Sequence, residues 1–178
     1  IQIKDLGTFE AVPEIVIDIV KGNIKALENA LIDGWDIHKP IQLDNYSEYS
    51  PLELALVINC LPSVQWLVEH GVDLNEEENP SFLLVVRYGT KKIIEYVVSH
   101  GANIHALNCV KLDAFEAALY GKKYENLQII HDLGHTVQKY GGKAFRNAIT
   151  DRNYKVLDFF INNGVDTVSY THLTLPTT

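Results

Sequence analysis

Seven histidines and two cysteines are the side chains of this 178-residue chain best suited to bind a metal or attack a substrate. Zinc needs three or four converging Cys, His or carboxylate ligands. His131 and His135 have the i, i+4 spacing of a helical metal pair, but Gly134 lies between them and should end the helix. The two rings then leave their shared face. Cys60 and Cys109 stand far apart in sequence. A nucleophilic thiol needs a base beside it, and neither cysteine has an identifiable one. Both read as free thiols of a reducing compartment, which predicts a cytoplasmic protein. Glu76, Glu77 and Glu78 form a solvated loop, because no further ligands follow at a calcium-loop spacing. No HExxH, CxxC, GxSxG, phosphate-cradling loop or dinucleotide fingerprint is present. The sequence therefore assigns no catalytic residue, no metal and no cofactor.

The histidines instead keep a phase. His70 and His100 each precede a glycine, and His38 and His105 each stand four residues after one. The glycines are Gly34, Gly71, Gly101, Gly134 and Gly164, separated by 37, 30, 33 and 30 residues. Such a period belongs to tandem repeats.

The elements follow from the columns around each glycine. Seven residues before it stand Leu27, Val64, Ile94, Leu127 and Leu157; four before it stand Ala30, Leu67, Val97, Ile130 and Phe160. That spacing places both columns on one helical face. The glycine then ends the helix in the left-handed region, where a Cβ is costly. Nineteen before it stand Ile15, Leu52, Phe82, Phe115 and Phe145, and sixteen before it Asp18, Ala55, Val85, Ala118 and Ala148. Each unit thus reads as helix, tight turn, helix, glycine cap and polar loop. One unit buries too little apolar surface to offset its ordering entropy, so stability requires stacking.

Composition bounds the rest. The chain is 47% hydrophobic and 21% charged, an ordinary globular balance. Its net charge of −8 argues against nucleic acid, whose backbone calls for clustered Lys and Arg. No apolar run approaches the ~18 residues of a membrane span. The chain starts at Ile1 and has no methionine, so an open reading frame cut at both ends is expected. Residues 168–178, VSYTHLTLPTT, resemble a translated transposon-type sequencing adapter; this predicts a non-native tail on a microbial, bacterial sequence.

Residues 50–75, SPLELALVINCLPSVQWLVEHGVDLN, resemble an ankyrin repeat. Ser50-Pro51-Leu52 matches that family's turn into the first helix, Ala55 its small residue, and Gly71-Val72-Asp73-Leu74-Asn75 its hairpin. Residues 80–105 follow the pattern, 113–138 and 143–166 more weakly, and 13–38 least at its front. The resemblance implies an all-α solenoid of about five stacked helix-turn-helix units. These span 12–167 with repeats near 12–45, 46–76, 77–108, 109–138 and 139–167; residues 1–11 form a cap or part of a preceding repeat, as KDLG at 4–7 hints. The sequence departs from the family at Glu53, where a histidine is usual, at Asp18 in a small-residue column, and in a longer loop between Gly34 and Ser50. The 30-residue spacings imply clipped hairpins.

The resemblance also implies where a partner would touch: thirteen and fourteen residues before each glycine, and the loops. Those positions hold Val20, Lys21, Val57, Ile58, Arg87, Tyr88, Tyr120, Gly121, Thr150 and Asp151, and the loops add Tyr46, Tyr49, Lys139 and Tyr140. Tyr and Arg dominate interface energetics. Tyr46, Tyr49, Val57, Ile58, Arg87, Tyr88, Tyr120, Lys139 and Tyr140 are the expected contact set. The expected function is a monomeric, non-catalytic protein-binding scaffold, with a basic partner favoured by charge. Two alternatives stand beside it: the repeat region of a larger enzyme, and a bacterial toxin-neutralising protein.

Overall fold

A computed structural model describes residues 12–43, 47–76 and 79–168. The expected cap at 1–11, Tyr46 and most of the tail lie outside them. Among the described residues the chain folds into consecutive helix pairs. The first pair is α1 (Glu14–Lys21) and α2 (Ile24–Ile32). The second is α3 (Pro51–Ile58) and α4 (Leu61–Glu69), and the third α5 (Ser81–Tyr88) and α6 (Lys91–Ser99). The fourth is α7 (Ala114–Tyr120) and α8 (Asn126–Asp132). A short α9 (Val137–Tyr140) precedes the last pair, α10 (Gly142–Thr150) and α11 (Tyr154–Asn162). The first helices pack side by side in one row, α1, α3, α5, α7 and α10. The second helices α2, α4 and α6 run in a parallel row behind them.

The apolar columns meet in a continuous core between the rows. Leu27, Val64 and Ile94 are fully buried, as are Leu67, Val97, Ile130 and Phe160. Phe82 and Phe115 fill the first-helix row, and Ala55, Val85 and Ala118 let neighbouring helices approach. All five phase glycines have positive φ, between 78° and 103°. At Gly101 the chain turns so that Ala102 N–H donates to the Val97 carbonyl, satisfying a group that the ended helix leaves open.

The residue before the glycine has a matching task. The His70 ring lies 4.1 Å from the Trp66 ring, tilted by 31°, and its Nδ1 lies 2.7 Å from the Trp66 carbonyl. His100 does the same with Tyr96, at 4.0 and 2.8 Å. Asn163 Nδ2 donates to the Phe159 carbonyl at 2.8 Å. Each side chain closes the last turn of its helix.

Buried polar links join one unit to the next. Ser63 Oγ donates to the Ile19 carbonyl at 2.6 Å, and Asn126 Nδ2 to the Val86 carbonyl at 3.0 Å. Ser63 and Asn126 both stand eight residues before their glycines; Ile19 and Val86 both stand fifteen before theirs. These are one joint made twice. The position four after the glycine links the loops. Asn75 Nδ2 donates to the Gly101 carbonyl and its Oδ1 accepts from Asn103 N–H. Gln138 Nε2 donates to the Asn163 carbonyl at 2.6 Å.

The departures find local solutions. Glu53 takes part in a capping box, its Oε2 accepting from Ser50 N–H at 2.7 Å while Ser50 Oγ accepts from Glu53 N–H. Asp18 is only half-buried and accepts from Asn23 Nδ2 at 2.9 Å. Part of the long loop after Gly34 is regular. Ile41–Gln42 (β1) pairs antiparallel with Glu48–Tyr49 (β2), Ile41 opposite Tyr49. The alternation Ile41 in, Gln42 out, Leu43 in drives this small hairpin.

Asn126→Ala should cost about 2 kcal/mol, because it strips the buried Val86 carbonyl of its side-chain donor and leaves a void. Urea unfolding followed by far-UV circular dichroism measures it; an unchanged midpoint would show that the joint carries no weight.

Candidate interaction surface

The ends of the first helices and the β hairpin form a face with two hollows. The first, of about 290 Å³, is lined by Glu48 and Tyr49 of β2, Glu53 and Val57 of α3, and Arg87 and Tyr88 of α5. The second, of about 230 Å³, is lined by Glu116 and Tyr120 of α7 with Asn147, Thr150 and Asp151 at the end of α10. Four of the expected contact residues, Tyr49, Val57, Arg87 and Tyr88, therefore converge. Tyr120, 61% exposed, belongs to the second hollow. Ile58 instead packs against the core.

Arg87 is held unusually. Its guanidinium carbon lies 5.0 Å from the centre of the Tyr88 ring. No carboxylate among the described residues pairs with it, and its Nε is buried without an acceptor. Its backbone is fixed by Gly121, where an added Cβ would sit 1.9 Å from the Arg87 carbonyl oxygen. The residues read together as Tyr120 and Gly121 thus divide: Tyr120 is exposed, and Gly121 lets α7 close onto α5.

Lys139 and Tyr140 lie in α9, in a second cluster. Lys139 Nζ is 4.9 Å from the Tyr140 ring centre. The Tyr140 ring stacks on His135 at 4.0 Å, and His105 lies 4.9 Å from Tyr140. His105 and His135 face each other through their Nδ1 atoms at 3.1 Å. His105 is the loop-linking position four after Gly101, and His135 replaces the usually apolar residue that follows the glycine, as Val72 and Val165 do. His135 is fully buried. Burial, the neighbouring His105 and, less strongly, Lys139 lower its pKa to about 4, against a Ile104 carbonyl contact that raises it. The sequence carried the spacing of His131 and His135 but not this pairing, because His105 comes from the preceding unit. His131 turns away, its Nδ1 accepting from Val137 N–H. Among the described residues no three His, Cys, Asp or Glu groups converge as a metal would require.

Comparison with known proteins follows the same lines. No protein-family profile matches the chain. It is 28% identical over 114 residues to Ankyrin repeat and SOCS box protein 2 of Homo sapiens, covering 60% of this chain and 18% of that protein. It is 29% identical over 96 residues to Ankyrin repeat and SAM domain-containing protein 6 of Rattus norvegicus, covering 52% of this chain and 10% of that protein. The fold is an all-α ankyrin-repeat stack. The chain spans less than a fifth of the length of these relatives. In this fold the glycines and the histidines before them mark the ends of the second helices.

The buried His135 sets an acid limit. Its pKa is lower folded than the ~6.5 of an unfolded histidine, so its neutral form stabilises the fold above that value. That stability is lost as pH falls from about 6.5 toward 4, by roughly 3 kcal/mol in all. Asp113, buried and raised to about 6 by desolvation, runs the other way: its contribution is present below the ordinary carboxylate value and lost as pH rises through about 6. The difference between wild type and His135→Val isolates the histidine. The variant should lose less stability between pH 7 and pH 4.5 in urea titrations; parallel curves would refute the assignment.

Proposed function

We propose that this chain is a non-catalytic recognition module that presents the concave side of its repeat stack to a protein partner. The observation that carries the reading is the convergence of Tyr49, Val57, Arg87 and Tyr88 around one hollow on the first-helix row. Aromatic and arginine side chains on a rigid support lose little entropy on docking, which is why they concentrate binding energy. The ankyrin repeats of the relatives favour a protein–protein interaction module. Two free cysteines, Cys60 and Cys109, fit a reducing, cytoplasmic setting.

The names of the relatives pair ankyrin repeats with a SOCS box or a SAM domain. That pairing favours a recognition part attached to another domain over a free-standing enzyme. The repeats would then choose the target, and any further activity would reside elsewhere in the protein.

The reading is tested by affinity capture with the chain immobilised. The double variant Arg87→Ala, Tyr88→Ala should lose a captured partner by at least about tenfold, while far-UV circular dichroism stays unchanged. Equal capture by the wild type and the folded variant would remove this face from the function.

A further inference from the structure

Glu53 and Glu116 hold the same place in units two apart, each eighteen residues before its glycine, Gly71 or Gly134. The Oε2 of each accepts from the N–H of its own helix cap, at 2.7 Å from Ser50 and 3.3 Å from Asp113. The capping bonds lock both side chains. The Oε1 of each has no partner among the described residues. Glu48 joins Glu53 at the first hollow, and Asp151 joins Glu116 at the second. Among the described residues Arg87 is the only cationic one lining either hollow; it closes the first hollow from α5, the helix that lies between α3 and α7. Arg87 is half-buried and no carboxylate among the described residues neutralises its charge.

We infer that this face takes an extended peptide segment with two basic side chains and a carboxylate between them. The inference rests on the protein-binding reading above. The basic residues pair with Glu48 and Glu53 at one end and with Glu116 and Asp151 at the other. The central carboxylate meets the Arg87 guanidinium, whose planar fork suits it. Two helix-to-helix steps of ~8–10 Å separate the acidic ends, or roughly 16–20 Å. An extended chain rises ~3.3 Å per residue, so the two basic residues stand about six apart. Tyr120, exposed at the second hollow, is an aromatic ring on which a basic stem can lie. An uninterrupted basic run is disfavoured, because its centre would meet Arg87.

The test is selection from a random peptide library displayed on phage, using the full chain as bait. Recovered peptides should share two Lys or Arg residues about six apart with an Asp or Glu between them. Glu53→Gln with Glu116→Gln, which keeps both caps, should weaken the recovered peptides at least about tenfold. Arg87→Glu should exchange the central acidic preference for a basic one. Peptides without the pattern, peptides indifferent to these charge variants, or an empty selection would each overturn the inference. If such indifferent peptides are still lost with Tyr88→Ala, protein binding by this face survives and only the charge pattern falls. If they ignore Tyr88→Ala as well, the binding reading falls with it.

Discussion

No helix pair in this protein encloses its own apolar residues. Among the described residues each inner pair buries one flank against the pair before it and one against the pair after, and this shared burial is the constraint on which everything else depends. It explains why small residues recur where the first helices touch, at Ala55, Ala118 and Ala148. It also explains why buried polar groups appear at the seams. A carbonyl near the end of a first helix is covered by the next unit, so that unit must supply the donor. Ser63 does so for Ile19, and Asn126 for Val86.

The fold was legible because the repeat writes its requirements five times. A left-handed residue at Gly34, Gly71, Gly101, Gly134 and Gly164 needs glycine, and helical spacing needs apolar residues seven and four positions earlier. Legibility ended where a contact joins two units through residues that each look ordinary. His105 and His135 are 30 residues apart, and nothing in either stretch announces a 3.1 Å contact between their rings. The hairpin of Ile41–Gln42 and Glu48–Tyr49 was hidden for a different reason: two-residue strands are too short to display a period. Gly121 was legible as a position but not in its role, since its need for glycine comes from the backbone of α5 rather than from its own φ.

The candidate surface inherits its order from the stack. Val57, Arg87, Tyr120 and Thr150 end successive first helices, so their sequence interval becomes a spatial interval along one row. Of the nine expected contact residues, Tyr49, Val57, Arg87 and Tyr88 gather at one hollow, and Lys139 and Tyr140 instead cover the buried His135. The loop tyrosines were expected to act alike. They part company because one follows a β hairpin onto the first-helix row and the other sits on a short helix over the histidines.

The contact between Gly121 and the Arg87 carbonyl has a mechanical consequence. Backbone meets backbone there, with no side chain between to yield by changing rotamer. The spacing of α5 and α7 at this end is therefore set by main chain alone, and any side chain added at Gly121 would have to push the two helices apart.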